Sequence, residues 1–198
     1  MACSQSKGTS IKDAIKQWEE ANGKSVAEET VVKLIGKLPP IEKMDAALSQ
    51  LAHVEQLSLS TNCIEKIGNL NGFSNLKILS LGRNNIKSLA GLDPVAGTLE
   101  ELWISYNNLD KLKGIEVLQK LKVFFCSNNK LADWKQIELL RQLPALESVV
   151  LMGNPIQEKH AESGDWTQLI MEKLPQIKKI DGKPIVRGGE EESEEAAE

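Results

Sequence analysis

Residues 76–86 read LKILSLGRNNI, and residues 99–109 repeat the same pattern as LEELWISYNNL. The shared pattern is L-x-x-L-x-L-x-x-N-x-L, with an apolar residue at each L position. Five copies occur, and their asparagines lie 22 to 25 residues apart, at Asn62, Asn84, Asn107, Asn129 and Asn154. A degenerate sixth copy begins at Val31, 23 residues ahead of the copy that begins at Val54.

A repeat of this length is typical of a leucine-rich-repeat solenoid, which is an α/β architecture. The last two L positions of each copy alternate as in a strand and point into the core. The asparagine that follows is predicted to bend the chain while its buried amide pairs with main-chain groups of the turn. A ladder of polar ligands is the alternative role for these asparagines. Six short strands, stacked about 4.8 Å apart, would form a parallel sheet on one face of the solenoid.

Apolar residues three positions apart predict short helical turns on the face opposite the sheet. The segments concerned are Leu89–Leu92, Leu112–Ile115 and Trp134–Ile137. Trp134 occupies a position that holds an aliphatic residue in the earlier repeats, so we expect its ring in the core.

The two ends of a solenoid expose core and need caps. Ser10 and Asp13 predict the start of a cap helix, Asn22–Gly23 predicts its end, and Trp18 should pack against the first repeat. Asp165 predicts the start of a second helix. These signals divide the chain into an N-terminal tail and cap helix (1–30), leucine-rich repeats (31–158), a C-terminal helix and capping motif (159–187) and a disordered acidic tail (188–198).

The composition restricts the class of protein. The chain has 198 residues, 41% of them hydrophobic, which indicates one globular unit. Without the six glutamates of the tail it carries 24 basic and 22 acidic residues, so it has no bias towards nucleic acid. Three widely spaced cysteines, no glycosylation sequon and no apolar run of membrane-spanning length indicate a soluble intracellular protein in a reducing compartment.

Few residues are candidates for catalysis, phosphate binding or metal binding. Gly23–Ser25 reads Gly-Lys-Ser, as at the end of a phosphate-binding loop, but the earlier glycine that such a loop requires is replaced by Trp18. The two histidines lie far apart and have no partner at metal-ligand spacing. Cys126 occupies a core position, whereas Cys63 follows Asn62 in a turn and is a candidate reactive thiol. We therefore predict a protein that is not an enzyme and that uses neither a metal nor a cofactor.

Strand alternation also identifies the side chains that point away from the core. The outward residues of the early repeats are small and polar, whereas those of the later repeats are apolar. The predicted protein-binding residues are Trp103, Phe125, Val150, Met152, Val123 and Ile78. An apolar patch centred on tryptophan and phenylalanine has the composition of a protein-binding hot spot. The alternative is that a terminal segment of the same chain folds back over the sheet.

A second candidate surface is basic and lies in the C-terminal capping segment. Its residues are Lys178, Lys179, Lys183 and Arg187. A basic edge suits the acidic surface of a microtubule. The alternative is that these are solvated charges on a cap, masked by the acidic tail beside them.

The repeat and its cap resemble known families. The N-x-I-x-x-I form of the repeat resembles the short phosphatase-regulator subclass of leucine-rich repeats. Residues 174–182 read LPQIKKIDG, which is similar to the capping motif of that subclass and of a spliceosomal adaptor. A closer resemblance, over about residues 10 to 187, is to the leucine-rich-repeat light chains of axonemal outer-arm dynein. It rests on the stretches IKDAIKQWEE (11–20), PPIEKMDA (39–46), LSLSTNCIEKI (57–67), LSLGRNNI (79–86) and TLEELWISYNN (98–108).

That resemblance implies a non-catalytic subunit of a ciliary or flagellar motor. Its implied partner is the motor region of a dynein heavy chain, with tubulin as a second candidate and neither nucleic acid nor a membrane as a direct partner. The implied location is the cytoplasm and the axoneme. The strand register, rather than the resemblance, predicts that docking uses the sheet face. The alternative functions are an adaptor of the spliceosomal type, which would hold an RNA-binding partner, and phosphatase regulation.

Overall fold

The computed structural model describes residues 8–186, so the predicted acidic tail, Arg187 and residues 1–7 lie outside the described residues. The described strands form one sheet in which neighbours in sequence are also neighbours in space. Strands β1 to β7 pair in parallel, and only β7 and β8 are antiparallel. The strands are β1 (Val31–Lys33), β2 (Gln56–Ser58), β3 (Ile78–Ser80), β4 (Glu101–Trp103), β5 (Val123–Phe125), β6 (Ser148–Val150), β7 (Lys179–Ile180) and β8 (Lys183–Pro184).

The predicted solenoid is confirmed, and the repeat period sets its register. The central residue of each three-residue strand faces the core, and these residues stand side by side: Val32, Leu57, Leu79, Leu102, Phe124 and Val149. All six are fully buried. Because each repeat presents the same apolar positions to the same side, stacking the repeats buries one continuous aliphatic core.

The five repeat asparagines form a buried ladder beside the core, here called the asparagine ladder. The amide oxygen of Asn107 accepts the main-chain N–H of Ile86 in the preceding repeat at 2.9 Å. Its amide nitrogen donates to the main-chain carbonyls of Leu81 and Ile104, both at 3.0 Å. The other four asparagines repeat this arrangement. The predicted structural role in the turns is thus confirmed, since each amide ties one repeat to the next.

The face opposite the sheet carries short helical segments, as predicted, but two of them begin later than expected. Helix α2 (Trp134–Glu138) begins at the predicted residue, whereas the other two turns are Asp93–Val95 and Ile115–Val117. Gly91 and Gly114 precede them with φ values of 101° and 99°. A right-handed helix cannot include a residue with positive φ, so each turn begins beyond its glycine.

Trp134 packs against the core, but it lies at the edge of the core rather than inside it, where it was predicted. Its ring is half-buried and stacks on Trp166 with ring centroids 5.6 Å apart. The ammonium group of Lys173 lies 5.1 Å from the centre of the Trp134 ring. Trp166 and Lys173 come from the C-terminal helix, which packs against the last repeat and draws the ring to the boundary between them.

The N-terminal cap agrees with the sequence prediction. Helix α1 (Ile11–Asn22) begins where the Ser10 hydroxyl accepts the main-chain N–H of Asp13 at 3.1 Å, and it ends at Gly23, which has a φ of 64°. The side chain of Trp18 is half-buried against the core. The cap therefore closes the first repeat with one helix.

The C-terminal cap contains more structure than the sequence predicted. Helix α3 (Pro155–Ala161) was not expected, and it precedes α4 (Trp166–Lys173), which was. Asp181 then closes the sheet, since its carboxylate accepts the main-chain N–H of Leu151 at 2.7 Å and the indole N–H of Trp166 at 2.9 Å. Asp181 thus supplies to Leu151 the acceptor that a main-chain carbonyl of the next strand supplies in earlier repeats, as that of Trp103 does for Leu81.

Candidate functional site: the outward face of the sheet

The strand register places the predicted outward residues in straight columns. Ser58, Ser80, Trp103, Phe125 and Val150 stand in adjacent register positions across β2 to β6. They alternate with the fully buried core residues, which confirms that Trp103 and Phe125 point away from the core. Both rings are half-buried, so no segment among residues 8–186 covers them completely.

Trp103 and Phe125 form the centre of this face. Their rings stack with centroids 5.9 Å apart and planes inclined by 20°. The indole N–H of Trp103 donates to a carboxylate oxygen of Glu101 on the same strand at 3.0 Å. That bond fixes the indole orientation, and the stack holds the phenylalanine beside it. Two rigid rings with defined orientation lose little entropy when a partner covers them.

Aliphatic side chains surround the two rings. Val123 and Val150 are half-buried on the neighbouring positions, and Met152 is 52% exposed. We name the group Trp103, Val123, Phe125, Val150 and Met152 the sheet-face patch. A shallow hollow of about 300 Å³ lies beside it, with Trp103, Val123 and Phe125 on one side and Ser148 and Lys179 on the other.

Ile78 stands apart from the sheet-face patch. It is half-buried, but Glu101 occupies the register position between it and Val123. The Glu101 side chain therefore separates Ile78 from the apolar residues of the later repeats. The early part of the face is polar because serines occupy it. Their hydroxyl groups bond to one another, as those of Ser60 and Ser80 do at 2.7 Å.

The predicted basic residues do not form a single edge. Lys178 is paired with Glu147, with its ammonium 3.0 Å from the carboxylate. Lys179 stands beside Ser148 on the outward face, whereas Lys183 pairs in register with Ile180 and so projects to the opposite face. Lys179 therefore borders the sheet-face patch, and Lys183 is turned away from it.

A column of alternating charge, which was not among the predictions from the sequence, runs along the sheet at the residue before each of the strands β2 to β7. Its members are Glu55, Lys77, Glu100, Lys122, Glu147 and Lys178. Three neighbouring pairs form ion pairs at 2.8, 2.7 and 3.0 Å. The hydrogen bond from Lys122 lowers the pKa of Glu100 and raises that of Lys122. We name these six residues the charge column; aligning the repeats at the position before the strand would have revealed it.

One cluster of titratable groups outside the sheet face, at the junction between the two C-terminal helices, has the wrong order for a nucleophile. The hydroxyl of Ser163 donates to Asp165 at 2.6 Å, and Asp165 also contacts the ring of His160 at 3.1 Å. The carboxylate, not the imidazole, thus lies next to the hydroxyl, which is not the order that activates a serine nucleophile. Burial raises the pKa of the Cys126 thiol, which keeps it protonated.

Among residues 8–186, no group of three or more acidic, histidine or cysteine side chains is placed to hold a metal ion. None of the helices in that range is both long enough and apolar enough to cross a membrane.

A larger hollow than the one beside the sheet-face patch lies away from the sheet face. It measures about 670 Å³ and lies at the turn edge, where Met44, Cys63 and Ile67 share the lining with Glu65 and Lys66. It contains no aromatic ring. The sheet-face patch has the stacked rings and the neighbouring aliphatic groups that protein interfaces use, and it remains the candidate site.

Comparison with known proteins agrees with this architecture. Residues 52–94 match the family model described as leucine-rich repeats (2 copies). The chain is 28% identical to a leucine-rich-repeat protein of Leptospira interrogans, with a TM-score of 0.57 over 71% of this chain and 34% of that one. It is also similar to the leucine-rich-repeat domain of APL1B, with 23% identity and a TM-score of 0.55 over 75% of this chain and 44% of that one.

Curated relatives match over nearly the whole chain. The protein named dynein axonemal light chain 1 in Ciona intestinalis is 59% identical over 96% of this chain and 100% of its own length. The human protein of that name is 54% identical over 94% of this chain and 98% of its own. The Chlamydomonas reinhardtii protein of that name is 47% identical over 90% of this chain and 92% of its own.

Proposed function

The chain belongs to the family of dynein axonemal light chain 1, and on this premise we propose that it binds the motor region of a dynein heavy chain through its sheet-face patch. Its family identifies the protein as a leucine-rich-repeat subunit of an axonemal dynein in cilia or flagella. Our proposal adds the surface that docks the heavy chain and the modulation of ciliary or flagellar motility by that contact. In this proposal the protein acts by contact and catalyses no reaction.

The observation that carries the proposal is the stacked pair of Trp103 and Phe125 on the outward face. The core beneath them is complete without them, since Leu102 and Phe124 of the same strands are fully buried. Aromatic rings at the centre of a desolvated interface are the residues whose removal most weakens protein binding. Their placement on the outward face therefore supports a role in docking rather than in folding.

Lys179 gives the docking face a charged border. It stands next to the sheet-face patch, while Glu101 borders the patch at the Trp103 indole. A partner with an acidic group opposite Lys179 and a basic group opposite Glu101 would be oriented by these two charges.

A tubulin contact is the second, less developed part of the proposal. Lys183 is exposed on the face opposite to Lys179, so the two lysines would meet different partners. If the heavy chain occupies the sheet face, Lys183 stays available to the acidic surface of a microtubule. Glutamate at position 183 should then weaken microtubule co-sedimentation in a salt-sensitive way and leave heavy-chain binding unchanged.

The test of the docking face is the double variant Trp103→Ala/Phe125→Ala. Each ring at the centre of an interface contributes on the order of 2 kcal/mol, so binding of dynein heavy chain extracted from axonemes should weaken by roughly 10²–10³-fold. The melting temperature, followed by circular dichroism, should change little because the rings are not core residues.

Tyr106→Asn is the matched control. It removes a ring that is 47% exposed at the turn edge, at a left-handed position that asparagine tolerates. Heavy-chain binding by this variant should equal that of the wild type. If the double variant unfolds, the rings contribute to the core; if it binds the heavy chain normally, the heavy chain uses another surface.

The alternatives drawn from the repeat subclass have no support in the curated relatives, which carry the dynein light chain name. No observation of the described residues favours an RNA-linked adaptor or a phosphatase regulator over a dynein subunit.

A further inference from the structure

The first strand of the sheet has one side on which no strand among residues 8–186 pairs with it. β1 bonds to β2 through the main-chain groups of alternate residues, at 2.8–3.1 Å from Thr30, Leu34 and Gly36. Successive residues of a strand direct their main-chain groups to opposite sides, so those of Val31, Lys33 and Ile35 point away from β2. No hydrogen bond within residues 8–186 uses these outward groups.

The side chains along this open side are exposed and mostly apolar. Val31 is 39% exposed, Ile35 is 47% exposed, and Leu38 just beyond them is 88% exposed. Lys33 lies between the first two, and within the described part of the chain it forms no ion pair. Val31 and Lys33 project to the outward face, in register with Gln56 and Ser58 of β2, and Ile35 follows two residues after the end of the strand.

The opposite end of the sheet is protected in a way that β1 is not. β8 has only two residues, Lys183 and Pro184, and the proline has no N–H to offer. Short strands and proline are the usual means by which proteins prevent strand addition at a sheet edge. β1 is also short, with three residues, but it contains no proline, and its bonding to β2 continues beyond Lys33 through Leu34 and Gly36.

We propose that the open side of β1 binds an extended segment of a partner protein by strand addition, and that this segment carries an acidic residue between two apolar residues. The unpaired N–H and C=O groups of Val31, Lys33 and Ile35 would supply the main-chain hydrogen bonds. In a paired strand, residues opposite one another share a face, so the acidic residue stands against Lys33 and the apolar ones against Val31 and Ile35.

Lys33 also argues against a second copy of this chain as the occupant. An antiparallel pair of β1 strands that uses the whole strand would put Val31 opposite Ile35 and Lys33 opposite Lys33. Two lysines directly opposed across strands destabilise the pairing, and lysine on an edge is a common guard against self-association. The same side chain that opposes self-pairing thus selects an acidic partner segment.

The test uses two synthetic peptides that differ only at their centre. The probes are acetyl-Thr-Val-Thr-Glu-Thr-Val-Thr-amide and its lysine counterpart, titrated into the full chain and followed by amide resonances and amide exchange of β1. The acidic peptide should bind about threefold to thirtyfold more tightly than the basic one. Amide exchange at Val31, Lys33 and Ile35 should be fast in the free protein and slow in the complex.

Three variants make the result specific. Lys33→Glu should reverse the preference between the peptides, while Lys87→Glu, the same charge change at an exposed lysine far along the chain, should preserve it. Val31→Pro removes an outward N–H at the first position of the strand, where proline is compatible with the fold, and should abolish binding of both peptides. Circular dichroism checks that each variant is folded.

Four outcomes would overturn the proposal. The first is that the β1 amide resonances do not shift at millimolar peptide, and the second is that Lys33→Glu keeps the wild-type preference for the acidic peptide. The third is that the resonances of Trp103 and Phe125 shift instead of those of β1. The fourth is that the amides of Val31, Lys33 and Ile35 exchange slowly before peptide is added. In the last case protection that rises with protein concentration would identify a second copy, and constant protection would identify residues 1–7. Trp103→Ala/Phe125→Ala should bind the acidic peptide normally, which separates this proposal from heavy-chain docking.

Discussion

Replacement of Asn107 by alanine tests how the asparagine ladder joins the repeats. The buried N–H of Ile86 would lose its acceptor, and an unpaired buried donor costs about 1–3 kcal/mol. The carbonyls of Leu81 and Ile104 each keep a second asparagine donor, from Asn84 and Asn129, so their loss adds less. We expect the free energy of unfolding to fall by about 2–3 kcal/mol. For a chain of this size that corresponds to a melting temperature lower by roughly 4–12 °C.

The matched control is the same substitution one residue later. The side chain of Asn108 makes no hydrogen bond within residues 8–186, and its main-chain N–H, which donates to Ile86, is retained in Asn108→Ala. Urea unfolding at equilibrium should therefore separate the two variants by about 2 kcal/mol. Equal unfolding midpoints for Asn107→Ala and Asn108→Ala would refute the argument that the amide bonds hold the turns.

Two further predictions concern a tight backbone approach and a surface charge pair. A methyl group on Gly91 would lie 2.4 Å from the carbonyl oxygen of Ile67, and the φ of Gly91 is 101°. Gly91→Ala should therefore lower the free energy of unfolding by more than about 2 kcal/mol. Gly97→Ala is the control, because its methyl group would contact no other atom, and it should not cause such a loss. Lys122 holds the pKa of Glu100 below its usual 4.5, so the stability that this pair adds is present above that value and is lost as the pH falls through the lowered pKa. In Lys122→Met, carbon-detected NMR titration should find the Glu100 pKa raised, and high salt should raise it in the wild type as well.

The sequence predicted the repeats well because one short pattern encodes both the core and the turn. The apolar positions around Leu79 and Leu81 fix which side faces inward, and Asn84 fixes where the strand ends. A shift by one residue would expose the leucines, so the register and the outward position of Trp103 followed from the pattern alone.

The caps and the connecting turns were predicted less well, because they do not repeat. β7 and β8 have two residues each, too few to produce an alternation. Helix α3 has a local signal, Asn154 followed by Pro155 at the first helical position, but the same asparagine also completes a repeat and was assigned only to that. The position of Trp134 depends on Trp166 and Lys173, which are distant in sequence. The predicted basic residues do not share one edge because the β7–β8 turn reverses the chain between Lys179 and Lys183. A count of charges along the sequence does not reveal that turn.

The charge column bears on how this protein can gain or lose repeats during evolution. Each repeat contributes one charge, and its sign alternates from Glu55 through Lys77 to Glu100 and onward. Deletion of a single internal repeat would place two like charges in adjacent register positions, whereas deletion or duplication of a pair of repeats would preserve the alternation. Like charges directly opposed across strands destabilise the pairing. Gain or loss of two repeats together therefore preserves the alternation of charge in the column, whereas gain or loss of a single repeat does not.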